Sequence, residues 1–306
     1  ISEYNLFQLE RECLAQKASA NLSTKIIPIL GDIKDSKNLS FIFKKYQVDD
    51  VFHAAAYKHV PLVEDVNNII KASENNVLGT LNLANISIEQ KVKSFVMIST
   101  DKAVRPSNIM GATKRMSEMI IQSLNKQQSC TQFSMVRFGN VINSSGSVIP
   151  TFLDQISNGG PVTVTHRDVT RYFMTIPEAS NLVLQAAQMS NGGEVFILDM
   201  GEQLKIYDLA KKLIHLSGRS IASKSGGEGI EIVEVGLRPG EKMYEELLIS
   251  GDLQETENSK IFKSTESFPS EEIMAVVINE IHQAIADNNT DALIGIFKSN
   301  IEGYPS

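Results

Sequence analysis

From Ile26 to Phe138 short apolar runs alternate with stretches of helical periodicity, and this alternation constrains the fold more than any other feature of the chain. Strands are predicted at Ile26 to Leu30, Asp50 to Ala54, Ser94 to Thr100 and Gln132 to Phe138. Helices are predicted at Ser36 to Tyr46, Asn76 to Gln90 and Asn108 to Lys126, and a further helical pattern opens the chain, with Leu6, Leu9 and Cys13 on one face. Short strands separated by longer helices read as βαβ units on a parallel sheet with right-handed crossovers, so the expected fold class is α/β.

After Asn140 the elements shorten. Helices are predicted at Val148 to Ile156, Pro177 to Met189, Ile206 to Leu216, Glu241 to Leu248 and Ser270 to Ala286, and extended segments at Val162 to Thr165, Val195 to Leu198 and Ile230 to Val235. Thr175-Ile-Pro-Glu178 carries the signature of a capping box with proline in the first turn. Gly218 to Gly229 reads as a mobile surface loop. The mixed second half implies a smaller lobe, with segments returning to the sheet.

Composition removes several function classes. Lys plus Arg number 29 against 36 Asp plus Glu, a net charge of −7 that argues against a broad nucleic-acid or anionic-membrane surface. Cys13 and Cys130 have no metal-site spacing, and the five histidines form no H-x-x-x-H pair, so neither structural metal nor disulfide is expected. A reducing, cytoplasmic compartment follows from that cysteine usage. No run of apolar residues is long enough to span a bilayer.

The chemistry concentrates in Ile98-Ser-Thr-Asp-Lys-Ala-Val-Arg-Pro106, which places hydroxyl, carboxylate and ammonium groups at the C-terminal end of a predicted parallel strand, where open α/β sheets bind ligands. Asn108-Ile-Met110-Gly-Ala-Thr-Lys114 opens the next helix, with Met110 and Lys114 four residues apart on one face. Lys114, on the sheet side, needs a partner such as a cofactor hydroxyl or phosphate. Ala54-Ala55-Ala56 at a strand end leaves room for a flat ring or a diphosphate. Four separated cations, Lys58, Arg137, Arg171 and Arg238, with His59 beside the first, make a focused positive pocket.

These residues carry a resemblance. A serine or threonine at this strand end (Ser99, Thr100) and a lysine at 114 resemble the extended short-chain dehydrogenase/reductases, although Met110 stands where that superfamily usually has tyrosine. Thr100-Asp-Lys102 and Met110-x-x-x-Lys114, together with Val51-Phe-His-Ala-Ala-Ala-Tyr-Lys-His-Val-Pro61 and Arg238-Pro-Gly-Glu-Lys242, are similar to the UDP-N-acetylglucosamine 4,6-dehydratases of bacterial polysaccharide and glycan biosynthesis. The resemblance implies a Rossmann-like sheet, with residues 1–160 a dinucleotide-binding domain and residues 161–306 mainly a substrate-binding lobe. It implies NAD as cofactor, with NADP left open, and UDP-N-acetylglucosamine as substrate; whether the chain forms a homo-oligomer stays open. Larger members have an amino-terminal membrane region.

By the same resemblance the sugar is oxidised at C4, water leaves from C5 and C6, and C6 is reduced. Thr100 would hold the C4 oxygen, Asp101 would act as acid for the C6 hydroxyl and Lys102, neutral for part of the time, as base for the C5 proton. Lys114 and Ser99 would meet the cofactor, as would Asp32, Ile33, Ala54, Ala55, Ala56, Lys58 and Asn76. His59, Arg137, Asn140, Arg171 and Arg238 would line the substrate side. No metal is called for. The tyrosine role at Met110 is vacant, with Thr100 and a water or Asp101 as substitutes. No G-x-x-G-x-x-G occurs, so the turn that cradles the dinucleotide phosphates, part of a first βαβ unit, is expected upstream of Ile1. A nucleotide-sugar 4-epimerase and a non-catalytic protein on the same scaffold are the alternatives; Met110 and the Asp101-Lys102 pair count against the first.

Overall fold

Phe95 and Met97 turn to one side of their strand and Val96 to the other, so a single strand feeds two hydrophobic layers. The computed structural model describes residues 2–128, 130–144, 146–222, 229–247, 253–264 and 266–305. Its central sheet contains β1 (Asp50–His53), β2 (Ser94–Ile98), β3 (Gln132–Arg137), β4 (Val195–Leu198), β5 (Gln254–Glu255) and β6 (Ile261–Ser264), in the order β1-β2-β3-β4-β6-β5. From β1 to β4 the strands run parallel, and β6 returns antiparallel to β4. The predicted α/β class is the observed one.

Around the sheet lie α1 (Glu3–Ser19), α2 (Ser36–Tyr46), α3 (Gly79–Glu89), α4 (Ile109–Gln127), α5 (Val148–Ser157), α6 (Ile176–Met189), α7 (Ile206–Leu216), α8 (Glu271–Ala286) and α9 (Thr290–Asn300). Phe43 of α2 and Leu83 of α3 close over Phe95, Met97, Phe133 and Met135, while Leu182 and Val183 of α6 close over Val96 and Val136. Helix α4 is buried continuously from Ile109 to Ser123, because α8 and α9 pack on the side the sheet does not reach. Half of the capping box forms: the Thr175 hydroxyl accepts from the Glu178 amide and opens α6, while the Glu178 carboxylate accepts from Lys260. A smaller lobe gathers α5, α7 and the parallel pair Val162–Val164 and Ile232–Glu234 around Phe152, Ile156, Ile206 and Ile214.

Two expected elements do not form. Ile26 to Leu30 forms no strand, and Ile27, Ile29 and Leu30 are exposed; an apolar run becomes a strand only beside a partner ladder, and none lies against it among the described residues. Residues 241–247 are not helical. The carbonyls a helix would use internally are taken from outside: Arg171 donates to Lys242 O and Met243 O, Gln203 donates to Glu245 O, and the Thr170 amide also meets Met243 O. Leu248 and residues 223–228 of the expected loop lie outside the described residues. Helix α1 forms but buries none of its side chains. Strands β5 and β6 and helix α9 were not anticipated.

Candidate active site

At the end of β2 the backbone is held by its neighbour, the Ser99 amide bonding Val136 O and the Asp101 amide bonding Phe138 O. Thr100 is extended, and its hydroxyl caps a single turn of 3-10 helix, Asp101–Ala103. Helix α4 starts against that turn, with Asn108 as its N-cap accepting from the Gly111 amide. The approach is close enough that a Cβ on Gly111 would sit 2.1 Å from Lys102 O. Glycine at 111 is thus a condition of the site, and sequence reading alone passed over it.

Between the C-terminal ends of β1, β2 and β3 opens a cleft of about 350 Å³. Its walls bring together Ala54, Ala56, Lys58, His59, Ser99, Thr100, Lys102, Met110, Lys114 and Asn140, ten of the residues singled out from sequence. Tyr57, Phe173, Ser144 and residues 146–148 also line it. His59 lies against Gly146, which has φ +67° and would place a Cβ 2.5 Å from the ring.

Asp101 lies beneath the cleft floor at 1% exposure. Its Oδ1 accepts from the Thr100 hydroxyl at 2.8 Å and from Lys102 Nζ at 3.0 Å, while its Oδ2 has no hydrogen-bond partner and faces Gly139. Any proton Asp101 exchanges with the cleft therefore passes through Thr100 or Lys102. Lys102 Nζ also donates to Asn140 Oδ1 at 3.3 Å and lies 3.5 Å from Glu245 Oε1. Burial opposes its charge, but Asp101 and Glu245 outweigh that and raise its pKa above the ordinary lysine value. The ammonium form is thereby favoured in the resting site. Lys114 differs: burial pulls its pKa down to about 8, with Glu118 opposing. Its Nζ donates to Ile98 O at 2.6 Å. Burial likewise lowers Lys58.

Several expected contacts lie elsewhere. Arg137 is not in the sugar pocket; it is fully buried, forked onto Glu118 at 2.6 and 2.8 Å and onto Glu266 at 2.5 and 2.8 Å. A basic side chain ending an interior strand points into the core, where only carboxylates make its burial tolerable. Ser99, although it borders the cleft, donates its hydroxyl to Glu118 at 2.6 Å. Arg171 is buried beside the site and clamps residues 241–245, with Glu241 Oε1 at 3.2 Å and Glu245 Oε1 at 3.7 Å. Arg238 is exposed. Asn76 spends its amide on Tyr57 N, Tyr57 O and Thr113 Oγ1, so it pins the loop after β1 instead of facing a ligand. Asp32 is occupied by Lys34 at 2.7 and 2.9 Å, and neither it, Ile33 nor Ala55 borders the cleft. Glu245 was missed because its segment read as helix, on which a buried glutamate facing the strand-end lysine has no signal.

The whole arrangement meets its relatives here. Residues 1–266 match the family described as Polysaccharide biosynthesis protein. The chain belongs to this family. It is 56% identical over 229 residues to the capsular polysaccharide biosynthesis protein CapD of Staphylococcus aureus, covering 75% of this chain and 37% of CapD, so the chain spans little more than a third of that relative. It is 35% identical over 260 residues to a UDP-glucose 4-epimerase of Rickettsia canadensis, covering 84% of this chain and 72% of the epimerase. Among solved structures, Pen from Bacillus thuringiensis is 35% identical with a TM-score of 0.71, covering 91% of this chain and 87% of Pen. The fold of the family member described here is that of the extended short-chain dehydrogenase/reductases. Among the described residues no helix is long and apolar enough to cross a membrane.

Proposed function

We propose that this chain carries the active site of an NAD-dependent 4,6-dehydratase acting on UDP-N-acetylglucosamine in surface-polysaccharide biosynthesis. The observation that carries the reading is the Thr100, Asp101 and Lys102 cluster at the floor of a cleft in which Met110 offers no titratable group. A site for C4 oxidation alone needs no second acid or base; a site that also expels water does. The 56% identity to a capsular polysaccharide biosynthesis protein agrees with that assignment.

The residues present fit the nicotinamide end of such a cofactor. Ala54 and Ala56 leave the cleft wall low, and the ammonium form of Lys114 has three donors of which one is spent on Ile98 O. Lys114 would hold the ribose hydroxyls. Bound there, a nicotinamide supplies reversible two-electron oxidation at a sugar carbon.

The protein's own work is proton management. Lys102 rests as an ammonium; when its proton passes to Glu245, 3.5 Å away, the amine takes the C5 proton, and the ammonium so formed delivers it to the C6 hydroxyl as water leaves. Asn140 keeps Nζ pointed across the cleft floor. The test is incubation of the protein with NAD and UDP-N-acetylglucosamine followed by mass spectrometry: the expected product is lighter by one water. A product of unchanged mass with inverted C4 would establish the 4-epimerase reading that the Rickettsia relative represents.

A further inference from the structure

The turn Asp101–Ala103 and the link 104–108 that leads from it into α4 are packed between two glycines. Gly111 meets Lys102 O from the side of α4. From the other side comes Gly240, which has φ +73° and where a Cβ would lie 2.8 Å from both Asn108 Cβ and Ser107 O. Glycine at 240 is required twice over, by its left-handed backbone and by that approach. From there residues 240–245 run alongside the link without forming helix or strand.

The two sides of this segment are spent differently. Toward the turn, Gly240 O accepts from Ser107 Oγ at 2.7 Å and Asn108 Nδ2 at 3.2 Å, Lys242 Nζ donates to Val104 O at 3.0 Å, and Glu245 Oε1 lies 3.5 Å from Lys102 Nζ. Positions 240, 242 and 245 thus meet 107–108, 104 and 102 in reverse order. Toward the smaller lobe it is the segment's carbonyls that are held. Arg171 donates to Lys242 O and Met243 O, the Thr170 amide to Met243 O and Gln203 to Glu245 O, while the Glu241 carboxylate accepts from Thr165 and Arg171. A stretch with no helix or ladder of its own takes its shape from the groups that satisfy its backbone.

We propose that residues 240–245 are a strap by which the smaller lobe sets the position of Lys102, and that Lys242 is its positioning residue. This rests on the reading of Lys102 as the group that takes the C5 proton. Lys242 does not line the cleft and acts through the turn alone. The Val104 amide donates to Asp101 O and closes the 3-10 turn, and the Val104 carbonyl receives Lys242, so the ammonium fixes the peptide on which the turn ends. Val104 is fully buried, and without that donor its carbonyl has to turn in search of another. The turn then pivots in the seat between Gly111 and Gly240, and Lys102 Nζ moves with it, away from Glu245 and from the sugar carbon it serves. A misplacement of about 1 Å at a reacting centre costs about 10²-fold in rate.

The experiment compares Lys242→Met, Lys242→Arg and Lys102→Met with the parent in the intact protein, supplied with NAD and with UDP-N-acetylglucosamine carrying hydrogen or deuterium at C5. Lys242→Met keeps the stem and removes the donor: kcat should fall about 10²-fold with KM within about threefold of the parent, and the C5 deuterium isotope effect should exceed the parent's, because the transfer to Lys102 becomes the slow step. Lys242→Arg, which restores a cation and its donors, should return kcat to within about tenfold of the parent. A segment that only stabilised the fold would change the amount of folded protein, read by urea unfolding of each variant, and leave the isotope effect at the parent's value. Parental turnover in Lys242→Met, a loss without a larger C5 isotope effect, or a loss that Lys242→Arg does not repair overturns the strap and leaves Lys102 in its role. Parental turnover in Lys102→Met, or a parent whose product has unchanged mass, overturns the reading on which the strap rests and the strap with it.

Discussion

Two clusters of buried charge lie on either side of the end of β2, and they differ in closure. Arg137, Arg115, Glu118 and Glu266 form a sealed network in which both carboxylates and the Arg137 guanidinium are forked, and none of their side chains is more than 7% exposed. Asp101, Lys102, Glu245 and Arg171 form a looser one: the ion-pair distances run from 3.0 to 3.7 Å, Lys102 is 18% exposed, and one Asp101 oxygen is unpaired. Closure gives every carboxylate oxygen a hydrogen-bond partner and fixes the charges, which suits a role in holding β3, α4 and residues 266–267 together. Incomplete pairing leaves protons able to move, which suits chemistry.

The largest expected effect tests the sealed network. Arg137→Met removes one cation from between two carboxylates and should cost about 3–5 kcal/mol of stability, read as a lowered urea midpoint, because two buried anions are left sharing Arg115. A variant as stable as the parent would show that the network contributes nothing to the fold. Lys102→Met is the counterpart in the open cluster. It should lower turnover by about 10³-fold while the protein stays folded, since the stem volume is kept and only the amine is lost. Turnover within about threefold of the parent would remove Lys102 from the proton path.

Gly111→Ala is next in size and strikes the seam between the clusters. The added Cβ meets Lys102 O at 2.1 Å and Pro106 at 3.0 Å, so either α4 or the 101–103 turn must shift. A loss of about 1–3 kcal/mol in stability is expected, with a turnover loss larger than that stability loss can explain, because Thr100 and Lys102 sit on the displaced turn. Equal turnover in the two proteins at a temperature where both are folded would show that the turn adjusts without consequence.

How far this comparison was legible beforehand depends on what each residue's neighbours are. Thr100, Lys102 and Lys114 were readable because a parallel strand ends in a ligand site and a helix returns over it, both local facts. Arg137 was misread for the same reason: its position at a strand end is local, but the partners that bury it, Glu118 and Glu266, come from 19 and 129 residues away. Glu245 was hidden by a helical pattern whose carbonyls Arg171 and Gln203 take over. The βαβ alternation declared the sheet through β3, and Val195 to Leu198 read as extended without its place beside β3, whereas Ile26 to Leu30 shows that apolar sequence without a neighbouring ladder does not suffice for a strand.

The smallest effect concerns the tuning of Lys102 by Glu245. Lys102 has a raised pKa in the folded protein, so the folded state binds its proton more tightly than the unfolded chain does. The stability this contributes is fully present below the ordinary lysine value of 10.5 and is lost as pH rises through the raised folded value. Glu245→Gln removes one of the two charges responsible and leaves Asp101 as the other, so the variant should gain less from Lys102 at neutral pH and have less to lose in alkali. Urea unfolding followed from neutral to alkaline pH should show a shallower alkaline decline for Glu245→Gln than for the parent, although many surface lysines titrate in the same range and contribute equally to both. A double variant isolates the pair: in a Lys102→Met background the Glu245→Gln change should leave the alkaline slope unaltered, because the group that felt the carboxylate is gone. Should the slope difference survive in that background, the charge that Glu245 tunes is Arg171 or another neighbour, and the open cluster would be a structural clamp of the same kind as the sealed one.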